Sequence, residues 1–166
     1  MKKEISSHAG AAKMIRAYMK AQGIAGSVRS KSYSMGSSIN VNVQDLNPDQ
    51  YAELKSYVNQ FQYGHFDGMY DIYEMSNNRE DIPQVKYAFV NNKMSDELAQ
   101  KIYDFAKGYF AGMEDAPENF QESYKFYNKK FDQYGNHLVG KLFMGGYMRN
   151  QYYESIGAIA PEMEAA

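Results

Sequence analysis

Three side chains that could do chemistry lie close together in the segment HFDGMYD: His65, Asp67 and Asp71. In an extended strand every second residue points to the same face, so an imidazole and two carboxylates could meet there. Such a group could bind a divalent cation or act as acid and base. Metal sites usually need further ligands, however, and the other two histidines are distant in the sequence. An ordinary turn or half-exposed strand explains the same residues, so we predict no catalytic residue, no metal and no cofactor.

The segment SMGSS at residues 34–38 has the small residues of a nucleophile turn or a phosphate-binding loop. It lacks the lysine of a phosphate-binding loop and the glycine spacing of a dinucleotide fingerprint. The flanking residues alternate between polar and apolar types, which is typical of two strands joined by a turn. We interpret the segment as the turn of a β-hairpin and predict that the protein is not an enzyme.

The predicted hairpin has a basic outer face. β-Branched residues at every second position of its second strand indicate a buried face. If Val28 of the first strand shares that face, then Arg29, Lys31 and Tyr33 lie on the opposite one. Arg29, Lys31 and the preceding Lys20 could contact phosphates, and Tyr33 could stack on a base. The alternative is a solvated face, because many sheets direct lysine and arginine outward.

The charges are divided unevenly along the chain. The formal net charge is −2, but residues 1–43 carry a net charge of +6 and residues 44–166 one of −8. A basic segment favours an anionic partner such as DNA or RNA. The acidic residues that follow could instead neutralise the basic segment within the fold, and the sequence leaves both readings open.

The C-terminal third is rich in aromatic residues at helical spacing. Tyrosine and arginine are enriched in protein interfaces, so this region is a candidate for partner binding. The predicted partner-binding residues are Tyr124, Tyr127, Tyr134, Arg149, Tyr152 and Tyr153. Packing against the N-terminal domain is the alternative, and a homodimer through these helices would satisfy both interpretations.

The elements that position these residues follow the order helix, strand, strand, helix, strand, strand, helix, then a helical extension. The segment LNPDQ at residues 46–50 has the cap, the proline and the glutamine of a helix start. Strands that arrive as adjacent hairpins predict an α+β fold, with an antiparallel sheet of two hairpins packed by helices. We predict an α+β domain over residues 1–112, a helical extension over 113–156 and a flexible tail over 157–166.

The composition bears on class and location. Hydrophobic residues make up 44% of the chain and charged residues 23%, which is typical of a globular protein. Without cysteine, neither disulfides nor thiolate metal sites can form. No stretch reaches the roughly 18 apolar residues of a membrane span, and no apolar signal region follows the N-terminal lysines. We therefore expect a cytoplasmic protein without membrane contact.

Three segments resemble, in order, a small domain from phages and conjugative plasmids. They are RSKSYSMGSSINVNV, FQYGHFDGMYDIYE and VKYAFVNNKMSDELAQKIYDF. The family is the large polyvalent protein associated domain, family twenty-nine, and the similarity covers residues 8 to 108 approximately. The resemblance implies an accessory protein of a mobile element, because this domain accompanies nucleic-acid-handling and counter-defence modules. It implies no catalytic residue.

These observations together predict a non-enzymatic phage or mobile-element protein that binds a host macromolecule. The expected partner is a host protein or nucleoprotein complex, bound through a protein–protein interface. The resemblance adds an expected role as a counter-defence inhibitor of the anti-restriction or anti-CRISPR type. The alternative is direct binding of DNA or RNA by the basic hairpin face.

Overall fold

The computed structural model describes residues 6–109, 118–120, 122 and 146–157. The chain forms two compact units, Met1–Lys93 and Met94–Ala166. In the described part, the first unit contains α1 (Ser7–Ala21), β1 (Gly26–Tyr33), β2 (Gly36–Gln44), α2 (Pro48–Asn59), β3 (His65–Asp67), β4 (Ile72–Glu74) and β5 (Tyr87–Lys93). The described part of the second unit contains α3 (Asp96–Tyr109) and α4 (Gly146–Ser155). The predicted α+β class with a C-terminal helix is confirmed.

Strands β1, β2 and β5 form a three-stranded sheet with β2 in the centre. Strands β1 and β2 are the predicted antiparallel hairpin, with Val28 opposite Val41 and Arg29 opposite Asn40. The structure differs from the prediction at β5, which pairs in parallel with β2 and aligns Phe89 with Asn40. A parallel pair needs a long crossover connection, and here α2 and the segment after it carry the chain back across the sheet.

Residues 65–75, for which the sequence suggested an ordinary turn or a half-exposed strand, contain two short strands joined by a turn. Strands β3 and β4 pair antiparallel in a separate two-stranded sheet. In the turn between them Asp67 Oδ1 accepts a hydrogen bond from the Met69 backbone nitrogen at 2.8 Å, and Asp71 has a φ of 53°. Aspartate tolerates this conformation better than most residues, which explains the tight turn between the two strands.

Helices α1 and α2 cover the inner face of the three-stranded sheet. Ile39 and Val41 of β2 are completely buried, in one cluster with Ile15 of α1 and Leu54 of α2. Full burial of each such side chain contributes about 1.5–3 kcal/mol to stability, which fixes the apolar side of the hairpin as the inner one.

The predicted start of α2 is confirmed in detail. Asn47 Oδ1 accepts a hydrogen bond from the Gln50 backbone nitrogen at 2.8 Å, and Gln50 Oε1 accepts one from the Asn47 backbone nitrogen at 3.2 Å. Pro48 occupies the first position of the helix, where its missing N–H costs no hydrogen bond. This reciprocal cap sets the direction in which α2 leaves the central strand.

In the second unit, α3 and α4 share a small apolar core. Ile102 and Tyr103 of α3 are nearly completely buried, in one cluster with Met148 and Tyr153 of α4. The predicted domain boundary at residue 112 and much of the predicted extension lie outside the described residues. Among the helices that are described, none is both long and apolar enough to cross a lipid bilayer.

Candidate nucleic-acid interface

The outer face of the three-stranded sheet lies opposite the side that α1 and α2 cover. Its positions follow from the strand register: Ser27, Arg29, Lys31 and Tyr33 on β1, Gly36, Ser38, Asn40, Asn42 and Gln44 on β2, and Tyr87, Phe89, Asn91 and Lys93 on β5. Three of these positions are basic, and none of those in the three strands is acidic. We call this surface the outer sheet face.

Arg29 and Lys31 are exposed on the outer sheet face, on the side that the alternation predicted. Within the described residues neither side chain forms an ion pair, since the ion pairs found there join other residues. The acidic segment that follows β2 therefore does not pair with these two cations in the described part of the chain. Lys93, aligned with Gln44, adds a third basic position to the face.

Two aromatic residues that the sequence analysis did not single out lie beside these cations. The pairing sets Tyr87 in one row with Lys31, and Phe89 in one row with Arg29. The ring centroids of Tyr87 and Phe89 are 6.0 Å apart, with an angle of 15° between the ring planes. Phe89 is 48% exposed. A single exposed phenylalanine is ordinary, but here it is stacked on a second aromatic ring, on the same face as the exposed cations.

Tyr73 of β4 supports this aromatic pair from the side. Its ring meets the Tyr87 ring nearly edge-on, with centroids 5.7 Å apart and an interplanar angle of 87°. Its hydroxyl donates a hydrogen bond to the Lys86 backbone oxygen at 2.5 Å, and Lys86 Nζ lies 5.0 Å from its ring centroid. Burial, followed by the neighbouring Tyr63 and Tyr87, raises the pKa of Tyr73 to about 12. Tyr73 is therefore neutral at physiological pH and keeps donating this hydrogen bond.

Tyr33 completes the aromatic group on the outer sheet face. It is 40% exposed, and it lies at the end of β1 opposite Gly36. Partial burial raises its pKa, and Tyr87 and Tyr63 add to the effect. Its neighbours are thus the same tyrosines that surround Tyr73.

Lys20 does not lie on the outer sheet face. It is in the last turn of α1, which packs on the inner side, and it lines a cleft together with Arg16 and Val28. Arg16 Nη2 donates a hydrogen bond to the Val28 backbone oxygen at 2.6 Å. Because β1 is an edge strand, this bond satisfies a backbone carbonyl on the side of β1 that has no neighbouring strand. The structure therefore separates Lys20 from Arg29 and Lys31.

The predicted partner-binding residues fall in two groups. Three lie outside the described residues: Tyr124, Tyr127 and Tyr134. On α4, Tyr153 is only 7% exposed within the core shared with α3, and the half-buried Tyr152 ring lies 6.0 Å from that of Phe105. Arg149 is half-buried. Tyr152 and Tyr153 thus contribute to packing within the second unit, and a role in partner binding stays a prediction.

The histidine and carboxylates of residues 65–71 have separate local roles. His65 Nε2 lies 3.6 Å from Glu74 Oε2 across the β3–β4 pair. Asp67 accepts the turn hydrogen bond, and Asp71 lies in the turn itself. In the part of the chain that the structure describes, no three histidine, cysteine or acidic residues are grouped as metal ligands.

A second exposed surface belongs to the β3–β4 hairpin. Large apolar side chains project from it with exposed fractions between 49% and 86%. They are Phe66, Met69, Tyr70, Ile72 and Met75. Several large exposed apolar side chains on one short hairpin are typical of a site that another macromolecule covers.

Residues 6–97 match the sequence model of the family described as Large polyvalent protein associated domain 29. No curated protein and no solved structure matches the chain. The matched region contains the complete outer sheet face and the β3–β4 hairpin. The match extends over more than half of the chain and confirms the resemblance seen in the sequence. The chain therefore belongs to the Large polyvalent protein associated domain 29 family, a domain associated with phages and mobile elements.

Proposed function

We propose that this protein is a non-enzymatic accessory factor of a phage or other mobile element that binds nucleic acid through the outer sheet face. The observation that supports this proposal is the charge of that face. It has three basic positions and no acidic one across β1, β2 and β5, although the whole chain has a net charge of −2. Because the protein as a whole is acidic, its net charge does not attract an anionic ligand. Binding of an anion would therefore depend on this local basic face.

The spacing of Arg29 and Lys31 suits phosphate contacts. Residues two apart on one strand are separated by about 6.6 Å, which is less than the Debye length of about 8 Å at physiological salt. The fields of the two side chains therefore add at a phosphate group above β1. Both side chains are exposed, so this field reaches solvent.

Charge reversal at this face tests the proposal. We expect Arg29→Glu combined with Lys31→Glu to weaken binding of a fluorescently labelled oligonucleotide by more than about tenfold in an anisotropy titration. The matched control is Lys13→Glu combined with Lys55→Glu, which changes the net charge equally at exposed positions of α1 and α2. Equal losses in both variants would mean that net charge matters and the face does not. A wild-type protein that binds no oligonucleotide would overturn the proposal.

A host protein is the second candidate partner, with the chain acting as a counter-defence inhibitor. The apolar β3–β4 hairpin favours this candidate, because Met69 is 86% exposed and Tyr70 is 69% exposed. Protein interfaces often centre on such aromatic and methionine side chains. We expect Met69→Ser combined with Tyr70→Ser to abolish capture of this partner from host lysate. Host proteins that remain captured after nuclease treatment support a protein target. Host proteins that are lost after nuclease treatment were held through nucleic acid, which supports binding by the outer sheet face.

A further inference from the structure

We infer that the outer sheet face selects single-stranded over double-stranded nucleic acid, with Tyr87 and Phe89 stacking on unpaired bases while Arg29 and Lys31 hold the backbone. This inference rests on the proposed function and adds the ligand class and two binding residues. Neither aromatic residue is on the basic hairpin itself. Both reach the site because β5 pairs in parallel with β2.

The strand register arranges part of the outer sheet face in two rows, each with a basic residue on β1 and an aromatic residue on β5. Arg29, Asn40 and Phe89 form one row, and the next row joins Lys31 to Tyr87 through Ser38. Neighbouring strands are about 4.8 Å apart, so each cation lies about 10 Å from the aromatic residue of its row at the level of the backbone. A nucleotide bound along a row would place its phosphate over β1 and its base over β5.

The aromatic pair is built as a firm platform. The near-parallel rings of Tyr87 and Phe89 extend over neighbouring rows, and the Tyr73 ring fixes Tyr87 from the side. Lys86 Nζ lies over the half-buried Tyr87 ring, 5.7 Å from its centroid, which adds positive charge at the platform and leaves Phe89 as the more exposed of the two rings. Rings that are held in place lose little side-chain entropy when a base stacks on them.

Amide groups border the platform and could read base edges. Asn91 Nδ2 donates a hydrogen bond to Asn42 Oδ1 at 3.2 Å on the outer sheet face, and Asn40 lies between Arg29 and Phe89. Asparagine offers both donors and an acceptor, as the edge of a base does.

Stacking on the aromatic rings requires a base with an open face. In a duplex the faces of the bases are covered by neighbouring base pairs. Single strands are therefore the ligands that this surface recognises, as on other sheet faces that bind RNA.

The chain contains no tryptophan, so Phe89→Trp introduces a single tryptophan at the platform, whose fluorescence can be excited selectively over that of the tyrosines. We expect a twelve-nucleotide single strand to quench this fluorescence, and the duplex of the same sequence to leave it nearly unchanged at equal phosphate concentration. The matched control is Phe66→Trp on β3, which is 53% exposed and off the outer sheet face. Equal quenching by both nucleic acids, or equal quenching of both reporters, would overturn the inference.

Removal of the ring gives an independent measurement. We expect Phe89→Ser to weaken single-strand binding by about 5- to 150-fold, the range for loss of one stacked base, while Phe66→Ser leaves it unchanged. If Phe89→Ser binds like wild type but the charge-reversed Arg29 and Lys31 variant does not, the base-stacking inference fails and the proposed function stands. If neither variant changes binding, both fail. Circular dichroism of each variant verifies that the fold is retained.

Discussion

The number of basic positions on the outer sheet face determines how strongly salt should weaken nucleic-acid binding. Its three basic positions, Arg29, Lys31 and Lys93, allow at most three direct phosphate contacts from the sheet itself. For a single strand, each contact contributes about −0.7 to the slope of log affinity against log salt, so we expect a slope of about −2. Raising the salt from about 50 to about 200 mM should then weaken binding about 20-fold. Fluorescence anisotropy at four or five salt concentrations measures this slope.

The same titration on Arg29→Ala tests whether the contacts are those of this face. Loss of one phosphate contact should reduce the magnitude of the slope by about 0.7, while Lys13→Ala on the exposed side of α1 should leave it unchanged. A wild-type slope near zero would refute the assignment of phosphate contacts to these side chains. A slope steeper than about −4 would mean that about half or more of the contacts lie elsewhere on the protein.

Three further predictions concern the elements that support the two surfaces. Gly64→Ala should lower the free energy of unfolding by about 3 kcal/mol in denaturant titration, because a Cβ there would lie 2.0 Å from the Glu74 backbone oxygen. Gly68→Ala is its control, since the nearest atom to a Cβ at that position is 4.0 Å away, and equal losses would contradict the packing argument. Tyr73→Phe should reduce the alkaline loss of stability, because the pKa of Tyr73 is raised from 10.0 to about 12 in the fold. The unfolded chain loses this proton first, so the wild type loses stability as the pH rises from 10 to 12, and thermal melts that fall equally in wild type and variant would exclude this origin. Asn47→Ala should cost about 1 kcal/mol of stability through loss of the α2 cap, and an unchanged melting temperature would show that the cap is dispensable.

The local pattern of the sequence was sufficient to predict the hairpin and its faces. Alternation in β1 and β2 separated Arg29 and Lys31 from the buried Val28 and Val41, because one apolar face of a strand must meet the core. The start of α2 was equally predictable, since all groups of its cap lie within a few residues. Short-range chemistry therefore specified the basic half of the candidate site.

The aromatic half depends on pairing that no local pattern reveals. The segment of β5 alternates Tyr87 and Phe89 with Ala88 and Val90, so its two faces could be read from the sequence. The strand that β5 pairs with, and its direction, could not be read from the sequence, because residues 89 and 40 meet only through a crossover that includes α2.

In the tyrosine-rich C-terminal region the helical spacing is clear, but the role of the aromatic stripe is ambiguous. Core packing and partner binding require the same aromatic stripe, and in α4 the largely buried Tyr153 is used for packing.

The register of β5 is what brings the two halves of the site together. A slip of one residue would turn Phe89 into the core and direct Ala88 toward solvent, since side chains alternate between the faces. Hydrogen bonds from outside the sheet oppose this slip: Gln62 Oε1 accepts one from the Ala88 backbone nitrogen at 2.8 Å. At the other end of β5, Asn92 Oδ1 accepts a bond from the Leu46 nitrogen at 3.1 Å, and Asn92 Nδ2 donates one to the Leu46 oxygen at 2.9 Å. These polar side chains bind no ligand in the proposed mechanism, yet they fix which aromatic rings stand beside the cations.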